Sequence, residues 1–344
     1  MFYKARYFYK KQSFLPSFYL ERKNIMYVYI ILGVLGGLLF LMLLAVLFCF
    51  LLVFYSPKRR ERGPDEYDIP KGNVYEPFRD EMIDWIKECR AMPRELVEIK
   101  SHDGLTLRGI YYEYKKGAPL EILFHGYRGD SERDLAGGVF RCHALCRNVL
   151  LVDQRASGRS DGRVITFGVK EKLDCLRWVD FAIEKFGEDT EIVITGVSMG
   201  AATVMLAAGE ALKPQVKCVL ADCGYTSGED IIKKVLKDIH LPVSLFYSLI
   251  KLGARLFGGF DISLASPIEA VKKCKIPVIF IHGENDGFVP CEMSRELYGE
   301  CAAEKAIFTV PGAAHGLAFP VDREGYFKAL KDFESAWRNK SELN

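Results

Sequence analysis

Apolar residues recur along this chain with three different spacings, and each spacing marks a different kind of element. From Met26 to Tyr55 the run is unbroken and uncharged, longer than the roughly 20 residues a membrane helix needs. Asp80–Arg90 puts Met82, Trp85, Ile86 and Cys89 on one face at helical spacing. From Glu95 onward, short β-branched runs alternate with helical ones. Strands are expected at Glu95–Lys100, Leu105–Tyr114, Leu120–Phe124, Val149–Asp153, Glu191–Thr195, Val216–Ala221, Pro277–Ile281 and Ala306–Val310. Helices are expected at Lys170–Phe186, Ala201–Leu212, Glu292–Cys301 and Arg323–Trp337. Asp103-Gly104 between the first two strands is a hairpin signal. The rest is βαβ alternation, which predicts an α/β fold with a mostly parallel, doubly wound sheet.

One interval breaks the rhythm. Between Asp222 and Pro277 lie about fifty residues with two amphipathic segments, Ile231–Ile239 and Val243–Leu256. An insertion at the carboxyl end of a sheet is where a cap over a site would sit, so a small helical cap is expected over about 224–270. An ordinary crossover helix with a long loop is the alternative. The expected organisation is a basic tail over 1–25, a transmembrane anchor over 26–55, a polar tether over 56–79 holding Gly63-Pro64, Ile69-Pro70 and Glu76-Pro77, and a globular domain over 80–340.

The apolar run is too long for a signal-peptide core, and Pro57-Lys58-Arg59-Arg60 follows it instead of an Ala-x-Ala-like cleavage site. We read it as an uncleaved single-pass anchor. Gly33 and Gly37 form a Gly-x-x-x-Gly pair within it that permits a homodimer. Charge alters the picture at one point only. Residues 1–24 carry six Lys/Arg against one acid and 25–55 carry none, so the net +2 leaves −3 for the remainder. A near-neutral globular part gives no electrostatic case for nucleic acid. Lys10, Lys11, Arg22 and Lys23 before the span nearly balance Lys58, Arg59, Arg60 and Arg62 after it. If translation starts at Met26, the positive cluster lies wholly on the C-terminal side and holds the domain in the cytoplasm. Nine of ten cysteines follow residue 55, an odd number that suits a reducing compartment better than a disulfide framework. Cys142-His143-x-x-Cys146 lacks a second ligand pair, so no metal is expected, and no segment implies a cofactor.

The chemistry centres on Ile192–Ala202. A β-branched run breaks into Gly196-Val197-Ser198-Met199-Gly200 and continues as a helix rich in Ala, Met and Leu. The two glycines allow a strained strand-to-helix reversal that raises the Ser198 hydroxyl above a sheet end. An ordinary βα turn is the alternative, and the strand before with the helix after argue against it. Ser198 needs a base, and the base needs an orienting acid. Among His102, His125, His143, His240, His282 and His315, only His315 lies in a glycine-framed loop between the last strand and the last helix. Asp286, just past the strand ending at Ile281, is the favoured acid, with Asp222 as its rival. The oxyanion donors expected are the backbone N–H groups of Met199 and Tyr127, and His125 is read as a loop-shaping residue.

Residues 95–337 resemble the α/β-hydrolase family, most closely its serine-aminopeptidase-like (S33) and monoacylglycerol-lipase-like branch. The resemblance is carried by His125-Gly126-Tyr127, by Asp153-Gln154-Arg155-Ala156-Ser157-Gly158-Arg159-Ser160, by the Ser198 pentapeptide, and by the Asp286 and His315 loops. Ala156 stands where that branch usually has glycine. The resemblance implies an eight-stranded α/β-hydrolase fold and hydrolysis through an acyl-enzyme, with Ser198 as nucleophile, His315 as base then acid, and Asp286 as its partner. It implies no substrate, because the fold hosts esterases, lipases, thioesterases and peptidases. The leading expectation is a membrane-anchored serine hydrolase of a small ester, thioester or amide. The alternatives are a serine aminopeptidase, which needs a cap acid such as Glu229, Asp230 or Asp238, and a non-catalytic membrane-anchored binding domain.

Overall fold

Helix α1 (Leu15–Val53) opens the computed structural model, which describes residues 15–57 and 62–341, apart from the side chains of 15–21 and 339–341. Lys10, Lys11, Lys58, Arg59 and Arg60 lie outside the described residues. The chain divides into two units, Met1–Phe48 and Cys49–Asn344. The described part of α1 already extends ahead of the apolar run, because no glycine or proline breaks the stretch from Ser17 to Met26. Arg22–Val53, with a mean hydropathy of 3.0 at its most apolar, is the one helix among the described residues long and apolar enough to cross a membrane. It stops at Val53 because Tyr55 turns into an antiparallel bridge with Val164.

In the second unit, helix α2 (Arg79–Ala91) precedes the hairpin of β1 (Glu95–Lys100) and β2 (Thr106–Tyr112). Strand β2 is shorter than its apolar pattern. Leu105 is held in the turn by Ser101 N–H, and Tyr114 N–H leaves the ladder for Asn148 Oδ1. Then follow β3 (Leu120–Phe124), α3 (Ser131–Ala144), β4 (Asn148–Asp153), α4 (Glu171–Phe186), β5 (Ile192–Val197), α5 (Met199–Ala208) and β6 (Val216–Asp222). The sequence pattern passed over most of α3, whose start is fixed by the Asp130 carboxylate accepting Arg133 N–H at 3.0 Å. Between β6 and β7 (Val278–Gly283) lie α6 (Gly228–Asp238), α7 (Val243–Leu256), a 3₁₀ turn at Ile262–Leu264 and α8 (Pro267–Val271). The chain closes with α9 (Cys291–Glu300), β8 (Lys305–Val310), α10 (Ala318–Val321) and α11 (Arg323–Ser341).

The eight strands form one sheet in the order β1-β2-β4-β3-β5-β6-β7-β8. The two ladders made by β2 are antiparallel and the other five are parallel. Successive residues of one strand feed opposite cores, as the two-residue period of a strand requires. Ile122 and Phe124 point to the α4, α5, α8 and α9 layer, whereas Leu123 points to α2 and α3. Farther along that second face, Ile279 and Ile281 meet Tyr326, Leu330 and Phe333 of α11. Both faces are thus covered, and the central strands read as continuous apolar runs.

One charge interrupts them. Glu121 of β3 is wholly buried and is paired with Arg141, with Arg147 at 2.6 Å, and with the Thr195 hydroxyl at 2.6 Å. Burial pushes its carboxyl up, but the two guanidiniums outweigh this and hold it at about 2. In the stretch 62–79, Ile69 is buried beside α2 and α3, and Arg62 pairs with Asp130 at 2.5 Å and Asp68 at 2.8 Å.

The chain leaves β3 toward β4 on one side and takes up β5 on the other. Such a switch point opens a crevice beyond the carboxyl ends of the strands. The loops after β3 and β5 therefore meet there.

Candidate active site

Strand β5 delivers Ser198 to that crevice in a backbone conformation few side chains adopt, φ 57° and ψ −116°. The conformation is imposed by its neighbours. A Cβ at position 196 would stand 2.1 Å from the carbonyl carbon of Gly200, and a Cβ at position 200 would stand 2.0 Å from the carbonyl oxygen of Phe124. Only glycines let strand, turn and helix pass so closely. Helix α5 begins at the next residue, so its positive end lies under the hydroxyl.

The loop between β8 and α10 carries His315, whose Nε2 lies 3.0 Å from Ser198 Oγ. Its Nδ1 lies 2.6 Å from Asp286 Oδ2. With a carboxylate on Nδ1, that nitrogen carries the proton and Nε2 faces the serine as an acceptor. Asp286 sits in the loop after β7 and is surrounded by donors. Phe288 N–H and Val289 N–H each bond Oδ1 at 2.8 Å, and His282 Nε2 approaches Oδ2 at 3.2 Å. Burial pushes the Asp286 carboxyl up, but the hydrogen bonds from His282 and His315 prevail and keep it well below the usual carboxylate range. Phe288 packs edge-on against the His315 ring, centroids 5.1 Å apart, and the Tyr75 hydroxyl donates to the His315 carbonyl at 3.0 Å.

The loop after β3 stands opposite. His125 is fully buried; its Nε2 accepts Gln154 N–H at 3.0 Å, so Nδ1 carries the proton and donates to Gly126 O at 2.7 Å. Gln154 in turn donates to His125 O and accepts from the Thr203 hydroxyl of α5. His125 thus ties the ends of β3 and β4 to α5. Gly126 lies against Ser198, where a Cβ would stand 3.5 Å from Ser198 Cβ. Tyr127 and Met199 therefore lie one residue from this contact, on the two loops that flank Ser198. Ala156, in the loop after β4, takes φ 59°, the left-handed region that suits glycine.

Ser198, His315 and Asp286 are brought together, whereas Asp222 meets Ser198 only through its backbone carbonyl, which accepts Ser198 N–H at 2.8 Å, and its carboxylate is not joined to them. Its Oδ2 accepts from Tyr326 at 3.0 Å, and burial raises its carboxyl pKa. His282 is a residue the sequence reading gave no role. With Asp286 Oδ2 and Val289 O both facing its Nε2, the ring donates there, and Nδ1 accepts from Ser294 at 2.6 Å. Cys223, also unremarked, lies with Asp286 and His315 so that their donor atoms fall within 4.8 Å of one another. Asp286 and His315 are already bonded to each other and burial pushes the Cys223 thiol up, a poor start for a metal site. Cys142 is buried in α3 while Cys146 is exposed beyond it. The acids of α6 are engaged: Glu229 accepts from Tyr247 at 2.8 Å, Asp230 from Ser227 at 2.6 Å, and Asp238 pairs with Lys234 at 2.6 Å.

The family described as serine hydrolase (FSH1) matches residues 172–317, the span from α4 through the His315 loop. The uncharacterized protein YqkD of Bacillus subtilis is 28% identical over 187 residues, 54% of this chain and 61% of that protein. The chain thus spans about three fifths of that relative's length. Protein bem46 of Schizosaccharomyces pombe is 26% identical over 248 residues, 70% of this chain and 77% of the relative. An esterase from Pyrococcus furiosus superposes with a TM-score of 0.58 at 24% identity, covering 80% of this chain and 99% of the esterase. This last likeness is one of fold. The domain has the α/β-hydrolase fold, and its stretch 172–317 is similar to the serine hydrolase (FSH1) family.

Proposed function

We propose that this chain is a membrane-anchored hydrolase that cleaves a carboxylic ester, thioester or amide through Ser198, His315 and Asp286. The observation that carries the reading is the relay from Ser198 Oγ to His315 Nε2 at 3.0 Å and from His315 Nδ1 to Asp286 at 2.6 Å. His315 takes the serine proton as Oγ attacks the acyl carbon, and Asp286 stabilises the imidazolium that forms. The oxyanion is received by the N–H groups of Met199 and Tyr127. His315 then protonates the leaving group, and water enters to release the acid by the same steps reversed. Apart from the anchor and the acyl substrate, no cofactor or metal enters the reading.

Treating the wild type and Ser198→Ala with a fluorophosphonate probe tests it, followed by p-nitrophenyl esters of increasing chain length. Labelling of the wild type that vanishes in the variant is expected. A folded wild type that resists the probe would hand the lead to the binding-domain reading.

The anchor is helix α1, which by length and composition can cross a bilayer, and the catalytic unit lies on the cytoplasmic side. Cys146, the exposed cysteine among the described residues, reports on this. A membrane-impermeant maleimide should modify it in opened cells and spare it in intact ones; equal labelling in both would place the domain outside. Two copies pair along Gly33 and Gly37, and Gly33→Leu with Gly37→Leu should abolish chemical cross-linking of the dimer if so.

A further inference from the structure

The end of helix α1 meets the oxyanion loop. Four successive carbonyls, Leu52 to Tyr55, each receive a donor. Arg128 Nη2 reaches Leu52 O at 2.8 Å and Tyr55 O at 3.0 Å, the Tyr127 hydroxyl reaches Val53 O at 2.6 Å, and Ile165 N–H reaches Phe54 O at 2.9 Å. The carbonyl end of a helix leaves such groups without partners and carries partial negative charge, so a guanidinium there is favoured twice over. Rings continue the contact. Phe54, fully buried, packs on Phe167 at 5.7 Å and on Phe260 at 5.2 Å, and Phe167 packs on Tyr127 at 5.3 Å.

We propose that residues 50–55 form a working wall of the active site, fixing the oxyanion loop through the side chains of Tyr127 and Arg128. This rests on the reading of Tyr127 N–H as an oxyanion donor. A helix end can be capped by any nearby donor. Here two of the three residues that cap it follow Gly126, whose Cα side faces Ser198. Arg128 is moreover held at φ 52° and Phe167 at φ 55°, a left-handed backbone that persists only where the surroundings impose it. The direction of the Tyr127 N–H is therefore set by where the helix ends. Tyr127 and Arg128 act here as positioning residues, because their side chains touch the helix rather than the reacting atoms.

The test uses the full chain in detergent micelles, comparing wild type with Tyr127→Phe, Arg128→Gln and Arg128→Lys. Steady-state kinetics on p-nitrophenyl butyrate are measured beside inhibition by a trifluoromethyl ketone, whose serine adduct carries the oxyanion. Tyr127→Phe keeps the ring on Phe167 and the backbone N–H but loses the bond to Val53. Misplacing a donor by a fraction of an ångström is expected to lower kcat and weaken the inhibitor about tenfold, with KM inside about twofold. Arg128→Gln should act in the same direction, and Arg128→Lys should recover part of the loss by keeping a cation at the helix end. Wild-type kcat and inhibitor affinity in Tyr127→Phe, with only the melting temperature changed, would reduce the contact to a helix cap and overturn the proposal. Failure of the wild type to react with a fluorophosphonate overturns the reading of the site itself, a separate result.

Discussion

Gly200 is the position where one methyl group should undo the site. A Cβ there would stand 2.0 Å from Phe124 O and 2.6 Å from the carbonyl carbon, both backbone atoms at the end of β3. A tolerable contact needs at least 3.0 Å, so α5 and β3 must part by about 1 Å. No rotamer can absorb this, since neither partner is a side chain. The separation moves Ser198, at the head of α5, away from the loop that begins at His125. A displacement of about 1 Å lowers turnover about a hundredfold, and overpacking of this kind destabilises by about 1–3 kcal/mol. Gly200→Ala should therefore react with a fluorophosphonate about two orders of magnitude more slowly, with a melting temperature lower by several degrees. Gly299→Ala is the matched control. Its Cβ meets nothing within 4 Å and its backbone is ordinary helix, so it should keep full reactivity and gain up to about 1 kcal/mol. Gly200→Ala labelled at the wild-type rate with unchanged melting would refute the steric argument.

Asp286→Asn should lose about four orders of magnitude in kcat, because the amide no longer fixes the His315 tautomer, while Asp222→Asn keeps turnover; the two kinetic constants decide which carboxylate serves the imidazole. Since burial raises the Asp222 pKa in the folded state, its favourable contribution is present at low pH and lost as pH rises through that raised value. The melting temperature of Asp222→Asn should accordingly gain on the wild type between pH 4 and pH 8, as a thermal-shift series can show. Glu121 runs the other way: lowered from 4.5 to about 2, it contributes stability above its unfolded pKa that is lost as pH falls through this window. Glu121→Gln should flatten that acid limb and destabilise by about 3–5 kcal/mol at neutral pH, because Arg141 and Arg147 keep their buried charge. Ala156→Gly should raise stability by up to about 1 kcal/mol in denaturant unfolding, since φ 59° strains alanine and not glycine.

The position of Ser198 was legible because a strand-to-helix reversal needs a local signature: two glycines, a β-branched strand before and a small-residue helix after. His315 and Asp286 were legible for a related reason, as each follows a strand whose position in the alternation can be counted. His282 was not. It ends an apolar strand like any buried histidine, and its partners Ser294 and Val289 come from α9 and the loop before it. Glu121 left a fainter trace. A carboxylate inside Leu120–Phe124 demands a buried cation if both sheet faces are covered, but the pattern does not say that Arg141 and Arg147 supply it. The ends of β2 and α5 were misjudged where features outside the apolar pattern decided them, the Asn148 side chain drawing Tyr114 off the ladder and α5 ending at Gly209, which packs closely against Ala270. The role of the α1 end was hidden because apolar periodicity describes the inside of a helix and says nothing of what meets its last carbonyls.

On the proposed roles of Ser198 and His315, their distance in sequence sets an order in time. His315 is 117 residues beyond Ser198, and it hangs from β8, which pairs only with β7 at the sheet's edge. At roughly 5–20 residues per second, a ribosome needs on the order of ten seconds to travel from the serine codon to the histidine codon. Throughout that interval the apolar helix has already been made, and Ser198 stands without His315. On the proposed function, the nascent chain would reach a bilayer while still chemically inert, and reactivity would follow only once β8 docks.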